Sequence, residues 1–174
     1  MFTQNYINLK KLQFFYTGTG AYEYFVDSTG TKVYGYNNIL AGSDIGGWTS
    51  NVIREENPTM CGTSFGTGTT PPTLDDYKME SVITSGFTVL SSALIQSQED
   101  GKYIHDRVYS LKNNTENDMT ISEIGLFSRV LNGSSTSAGY KYVLMFRTVL
   151  DNPVTIPPGV AKVVTLRMTF NQSQ

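Results

Sequence analysis

The sequence predicts an all-β protein: an antiparallel β-sandwich, jelly-roll or immunoglobulin-like, with an irregular N-terminal arm. Three observations carry this. About eight short runs rich in Val, Ile, Phe, Tyr and Thr alternate with polar turns. No segment makes a convincing amphipathic helix; Leu90–Gln98 alone competes, and Thr88 and Val89 before it weaken the case. Polarity comes from Thr, Ser, Asn and Gly rather than from charge, and these residues favour strands, turns and loops.

The elements follow in order. Residues 1–59 form the arm and 60–174 the sandwich domain. Within the arm, Leu9 to Tyr16 reads as a short strand. Tyr22–Val26 and Lys32–Tyr36 pair across Asp27–Thr31, a five-residue hairpin connection with Gly30 available for positive φ. Gly42–Trp48 is a loop whose Trp48 needs a neighbour, either the main domain or another subunit. Met60 to Phe65 is a strand opening into the run Gly62-Thr-Ser-Phe-Gly-Thr-Gly-Thr-Thr-Pro-Pro-Thr-Leu-Asp-Asp-Tyr77. Lys78–Thr84 and Phe87–Gln96 are the next strands, broken by Ser85-Gly86, with Val82, Phe87, Val89 and Leu94 providing the apolar contributions. Gln96–Gly101 is a turn. Tyr103–Leu111 alternates, followed by a turn at Asn113–Asp118 and a strand at Met119–Phe127. Asn132–Gly139 is a loop without apolar anchors. Lys141–Leu150 is a strong strand, Pro153–Gly159 a short strand and turn, and Val160–Phe170 closes the domain.

Composition bounds the partners. The chain has 174 residues, enough for one domain or a domain with an elaborated arm. Charged residues make up 16%, against about 25% in an average soluble domain. The net charge of −2 argues against nucleic-acid binding, and Lys10-Lys11 is too small a patch to neutralise many phosphates. No run approaches the roughly 20 apolar residues needed for a membrane span, and the start lacks the pattern of a secretion signal. Sequons at Asn113, Asn132 and Asn171 therefore read as incidental. The single cysteine, Cys61, excludes an intrachain disulfide and reads as a buried strand residue. Eleven Tyr and nine Phe are many for this length; tyrosine suits interfaces because it buries area while keeping a polar tip.

Chemistry is hard to place, and the expectation is that the chain is not an enzyme, with no catalytic, cofactor-binding or metal-binding residues and no cofactor. His105 is the sole histidine, and Asp106 beside it in a strand points to the opposite face. Cys61 could meet His105 only by tertiary accident. The glycines at 62, 66 and 68 lack the lysine and helix start of a phosphate loop, and Pro71-Pro72 removes the case. Asp75-Asp76, helped by Asp44, Glu80 or loop carbonyls, is the best cation candidate. Two adjacent carboxylates cannot meet calcium's need for six to eight oxygens, so a turn cap is the better reading. Glu123 shares a strand face with Ile121, Gly125 and Phe127, and a carboxylate there is costly unless paired. Arg147 is its plausible partner across the sheet; the alternative turns Glu123 to solvent and builds the core from Ser122, Ile124 and Leu126.

Three phrases together resemble small structural proteins and fibre-attachment domains of tailed bacteriophage virions. They are Phe65-Gly-Thr-Gly-Thr-Thr-Pro-Pro-Thr-Leu-Asp-Asp-Tyr77, Ile121-Ser-Glu-Ile-Gly-Leu-Phe127, and Phe146–Leu150 leading through Val154-Thr-Ile-Pro-Pro-Gly159 into the last strand. Asp75 and Asp76 match the family's acidic position, whereas Tyr77-Lys78-Met79 stands where a leucine is commoner. The resemblance covers roughly residues 60–170. It implies a virion component of the tail, neck or baseplate, assembled in the host cytoplasm and repeated in a symmetric ring. The implied partners are copies of itself and other virion proteins, with no direct nucleic-acid binding and no membrane insertion. Trp48, Phe65 and Tyr77 are the first expected interface residues. The alternatives are a carbohydrate- or receptor-binding module at a fibre tip, using Trp48, Tyr22, Tyr24 and Tyr36, or a capsid decoration protein.

Overall fold

Antiparallel strands make up most of the fold, as the Thr-, Val- and aromatic-rich runs require. The computed structural model describes residues 1–15, 22–36, 62–131 and 140–171. Among the described residues one helix, α1 (Gln4–Phe15), precedes eight strands: β1 (Tyr22–Val26), β2 (Lys32–Tyr36), β3 (Gly62–Gly66), β4 (Phe87–Glu99), β5 (Lys102–Asn113), β6 (Met119–Leu131), β7 (Tyr140–Ile156) and β8 (Ala161–Asn171). They form three antiparallel sheets in the orders β1-β2, β3-β6-β7 and β4-β5-β8. The chain divides into two units, residues 1–84 with 122–151 and residues 85–121 with 152–174; β6 and β7 contribute to both. The boundary expected at residues 59 and 60 lies outside the described residues, as do Asp44, Trp48, Cys61 and the 132–139 loop.

In the first unit the β3-β6-β7 sheet is covered on both faces. Every residue of β3 is buried, as is Ile121 to Phe127. Met79, Phe127 and Leu144 pack together with Val82 beside them, while Phe25, Val33, Val143 and Met145 form a second cluster that receives Tyr6. The hairpin has the expected register, Tyr22↔Tyr36 through Val26↔Lys32. Its turn is organised by Asp27, whose Oδ1 accepts the Thr29 and Thr31 amides and the Thr29 hydroxyl. Asp27 also bridges to Val143, so the hairpin docks on β7.

The helix corrects the expected strand at Leu9–Tyr16. Its start is fastened by polar groups rather than by an apolar stripe. Asn5 donates to the Val26 and Leu144 carbonyls and accepts the Val26 amide, and the Thr3 hydroxyl donates to the Leu144 carbonyl. A helix held through side-chain amides leaves no apolar repeat to read.

In the second unit β5 is central. Arg107, Tyr109 and Leu111 share a buried face with Val164, Leu166 and Met168 of β8. Strand β4 runs to Glu99, so the expected turn at Gln96–Gly101 shrinks to Asp100-Gly101, with φ of 50° and 70°. Two successive residues at positive φ match the twist of the flanking strands. Leu90 is the extra residue of a β-bulge between the pairs Val89↔Leu111 and Ser91↔Ser110. The bulge reverses the parity of everything after it and sets Leu94 opposite Arg107, on the face of Phe87 and Val89, where it is nonetheless 45% exposed. At the end of β5, Asn113 caps the next turn: Oδ1 accepts the Thr115 amide and hydroxyl, and Nδ2 donates to the Asn117 and Ile156 carbonyls. The short strand expected from Pro153 is the continuation of β7, whose backbone stays extended through the proline.

Candidate functional site

The long segment between β3 and β4 is where the sequence's unusual features converge. Lys78–Thr84, expected to be a strand, is irregular apart from a single bridge between Val82 and Gly66. Besides backbone hydrogen bonds from the Ile83 amide to the Phe65 carbonyl and from the Thr67 amide to the Ser81 carbonyl, two side-chain contacts hold it. Met79 inserts its side chain against Gly125, where a Cβ would lie 2.6 Å from the Met79 sulfur. Beside it, Glu123 reaches from β6 and accepts the Glu80 amide at 2.8 Å through Oε1 and the Ser81 amide at 3.1 Å through Oε2. The segment's backbone thus gains in Glu123 the acceptor that a strand neighbour would otherwise supply.

Glu123 is fully buried and opposes Gly66 across the β3–β6 pair. A Cβ on Gly66 would fall 2.3 Å from the Ser81 carbonyl, and one on Gly68 2.5 Å from Glu123 Oε2. The Gly-Thr-Gly phrase is therefore a consequence of close approach: only a residue without a side chain lets the carboxylate reach the segment.

Arg147 on β7 completes the arrangement. Its Nε donates to Glu123 Oε1 at 2.6 Å and its Nη1 to Asp76 Oδ2 at 2.8 Å; Nη2 stands 3.6 Å from Glu80 Oε2. Asp76 also accepts the Thr73 amide and hydroxyl, and Glu80 the Thr69 and Thr70 amides. Burial opposes ionisation of Asp76, but the Arg147 and Thr73 hydrogen bonds prevail and hold its carboxyl below the usual range. The Thr70 amide is the main cause of the same downward shift at Glu80. Burial of Arg147 is likewise outweighed by Asp76 and Glu123, which push its pKa up and keep the guanidinium charged.

These groups border an open depression of about 230 Å³ formed with Thr70, Asp75, Tyr77 and Lys78. One guanidinium ringed by three carboxylates, each accepting further N–H groups, is a clasp that fixes the backbone of the segment.

The expected Glu123–Arg147 pair is present, and the alternative of a solvent-facing Glu123 is not. Asp76 does act in a turn, as expected, but its bond to Arg147 carries no local signal, because 71 residues separate them. Asp75 is exposed. Phe65, expected at an interface, is 1% exposed and belongs to the chain's own core; as a residue of a strand buried on both faces it has no route to a neighbour. Tyr77 is partly buried. His105 and Asp106 lie on opposite faces of β5, with His105 edge-on to Phe170 and Asp106 held by both ends of the Arg167 guanidinium.

Against known proteins, no family model, curated protein or solved structure matches the chain.

Proposed function

We propose that the chain is a structural component of a tailed bacteriophage virion, contributing to tail, neck or baseplate and fibre attachment through contacts between subunits. A β-sandwich organisation of its sheets belongs to the same proposal. One observation carries it. The three phrases behind the resemblance are the three parts of one clasp: Gly66, Gly68 and Asp76 from the first, Glu123 and Gly125 from the second, Arg147 from the third. Their order and spacing thus follow from a single task, holding a long irregular segment in a fixed shape on a sheet. A fixed loop on a rigid scaffold is suited to repeated contact with neighbours. Thr69 to Pro71 and Thr73 to Asp75 lie exposed along it.

The test is a density gradient of particles purified from cells that produce the chain. It should co-sediment with the particle at a fixed copy number by quantitative mass spectrometry. A chain that stays at the top of the gradient overturns the proposal.

A second reading, glycan or receptor binding at a fibre tip, is favoured by one feature. Tyr24 and Tyr34 pair across the hairpin with ring centroids 4.5 Å apart, and both are exposed. Binding on a glycan array that disappears in Tyr34→Ala would promote it.

A further inference from the structure

The clasp leaves one of its hydrogen-bonding groups over. The Arg147 side chain is 4% exposed, and it gives Nε to Glu123 and Nη1 to Asp76. Nη2 is buried and has no hydrogen-bond acceptor among the described residues. Glu80 Oε2 stands 3.6 Å from it and is already engaged by the Thr69 and Thr70 amides. A buried donor without an acceptor is rare and calls for an explanation. Asp76 and Glu80 both border the depression of about 230 Å³, whereas Glu123, which takes Nε, does not. The Nη1–Nη2 edge of the guanidinium is therefore the edge turned towards that depression.

Acceptors surround the same space. Asp75 is exposed and takes no part in the clasp. Glu80 meets its two amides through Oε2, and its side chain is 42% exposed, so a small rotation admits a further group to Nη2. Tyr77 and Met79 add carbon surface to the border.

A ligand here must accept from Nη2 and donate to carboxylates within one small space. An ammonium group would meet the carboxylates and leave Nη2 unpaired. A carboxylate or phosphate would meet Nη2 but face Asp75, Asp76 and Glu80, which outnumber Lys78 and Arg147 on the border. A hydroxyl accepts and donates through one atom, and adjacent hydroxyls on a ring do so towards several partners at once.

We propose that this depression binds a neutral saccharide, with one hydroxyl bridging Arg147 Nη2 and Glu80, a second on Asp75, and ring carbons against Tyr77. Drug-sized sites run to roughly 300–1,000 Å³, so this smaller space takes a single sugar ring, and the remainder of a longer glycan leaves through its open side. The inference goes beyond the virion reading and uses none of the hairpin tyrosines, so it stands apart from both readings above.

The experiment is saturation-transfer NMR on the full chain with six neutral sugars: glucose, galactose, mannose, rhamnose, N-acetylglucosamine and N-acetylgalactosamine. At least one should receive saturation, and glucuronate should receive none. Asp75→Ala lies outside the clasp and should weaken binding about tenfold or more, with the melting temperature unchanged. Tyr34→Ala should leave binding as it was. Among the monodeoxy analogues of the sugar that binds, one should fail, because it leaves Nη2 unpaired. Silence from all six sugars overturns the proposal, as a depression filled by water or by a neighbouring protein's amide group would. So does binding that survives Asp75→Ala and disappears in Tyr34→Ala, or equal binding of every deoxy analogue. Sugar binding by a chain absent from particles would sink the virion reading and leave this one standing; a particle-bound chain silent towards all six would do the reverse.

Discussion

Replacing Glu123 by Ala separates a clasp from an incidental ion pair. The substitution removes the acceptor for Arg147 Nε and for the Glu80 and Ser81 amides. Those amides sit in a partly buried segment that water can reach, so each contributes about 1 kcal/mol. Arg147 is 3% exposed and cannot be rehydrated in place. Leaving a buried guanidinium without its partner costs about 3–5 kcal/mol, and this is the dominant contribution. Asp76 still holds Nη1, which keeps the expected total near the lower end, about 5 kcal/mol. For a chain of this size that corresponds to a fall in melting temperature of roughly 10–20 °C. Differential scanning calorimetry gives the shift, and a double-mutant cycle gives its origin. Glu123→Leu combined with Arg147→Met removes both charges and should be less destabilising than the sum of the two single changes. A loss under about 1 kcal/mol for Glu123→Ala, or strict additivity in the cycle, would refute the reasoning.

Three further outcomes are expected. Gly68→Ala forces a methyl group into the Glu123 carboxylate and should destabilise by about 1–3 kcal/mol, with faster protease cleavage between Thr69 and Ser81. The Asp76 and Asp27 carboxyls both lie below their usual range, so their stabilisation is present above the unfolded value of about 3.9 and is lost as pH falls through the lower folded value. The urea midpoint should therefore drop on acidification below about pH 4, and less steeply in Asp76→Asn. Gly101→Val places a β-branched residue at φ 70° and should cost about 1–2 kcal/mol by urea titration, whereas Asp100→Asn should be nearly neutral.

Strand positions were legible where a turn signal bounded an apolar run. Asp27-Ser-Thr-Gly-Thr31 gave the hairpin its register, and Asn113–Asp118 the connection into β6. Glu123 was legible as a carboxylate that needed a partner, because the residues two before and four after it are apolar on the same face. Three features were hidden for separate physical reasons. Helix α1 is fastened by Thr3 and Asn5, which look like solvent-facing residues in any periodic reading. Met79 and Val82 gave 78–84 the look of a strand; the segment pairs with β3 only around Val82, and Met79 is buried because it plugs a glycine-lined gap. Leu94 does share the face of Phe87, Val89 and Arg107, because the bulge at Leu90 exchanges the faces of all that follow, but an apolar residue does not by itself say whether its face is covered, and it is 45% exposed.

The clasp also ties together distant parts of the chain. Its bonds span 24, 43 and 71 residues, and the Glu123–Arg147 bond among them requires β6 and β7 to lie side by side. The entropy of closing such loops grows only with the logarithm of their length, so the long Gly/Thr/Pro excursion adds little penalty once that pairing exists. In a chain with one cysteine, Arg147 thus does the work of a disulfide. It cross-links three distant segments by a tie that needs no oxidant and no isomerase.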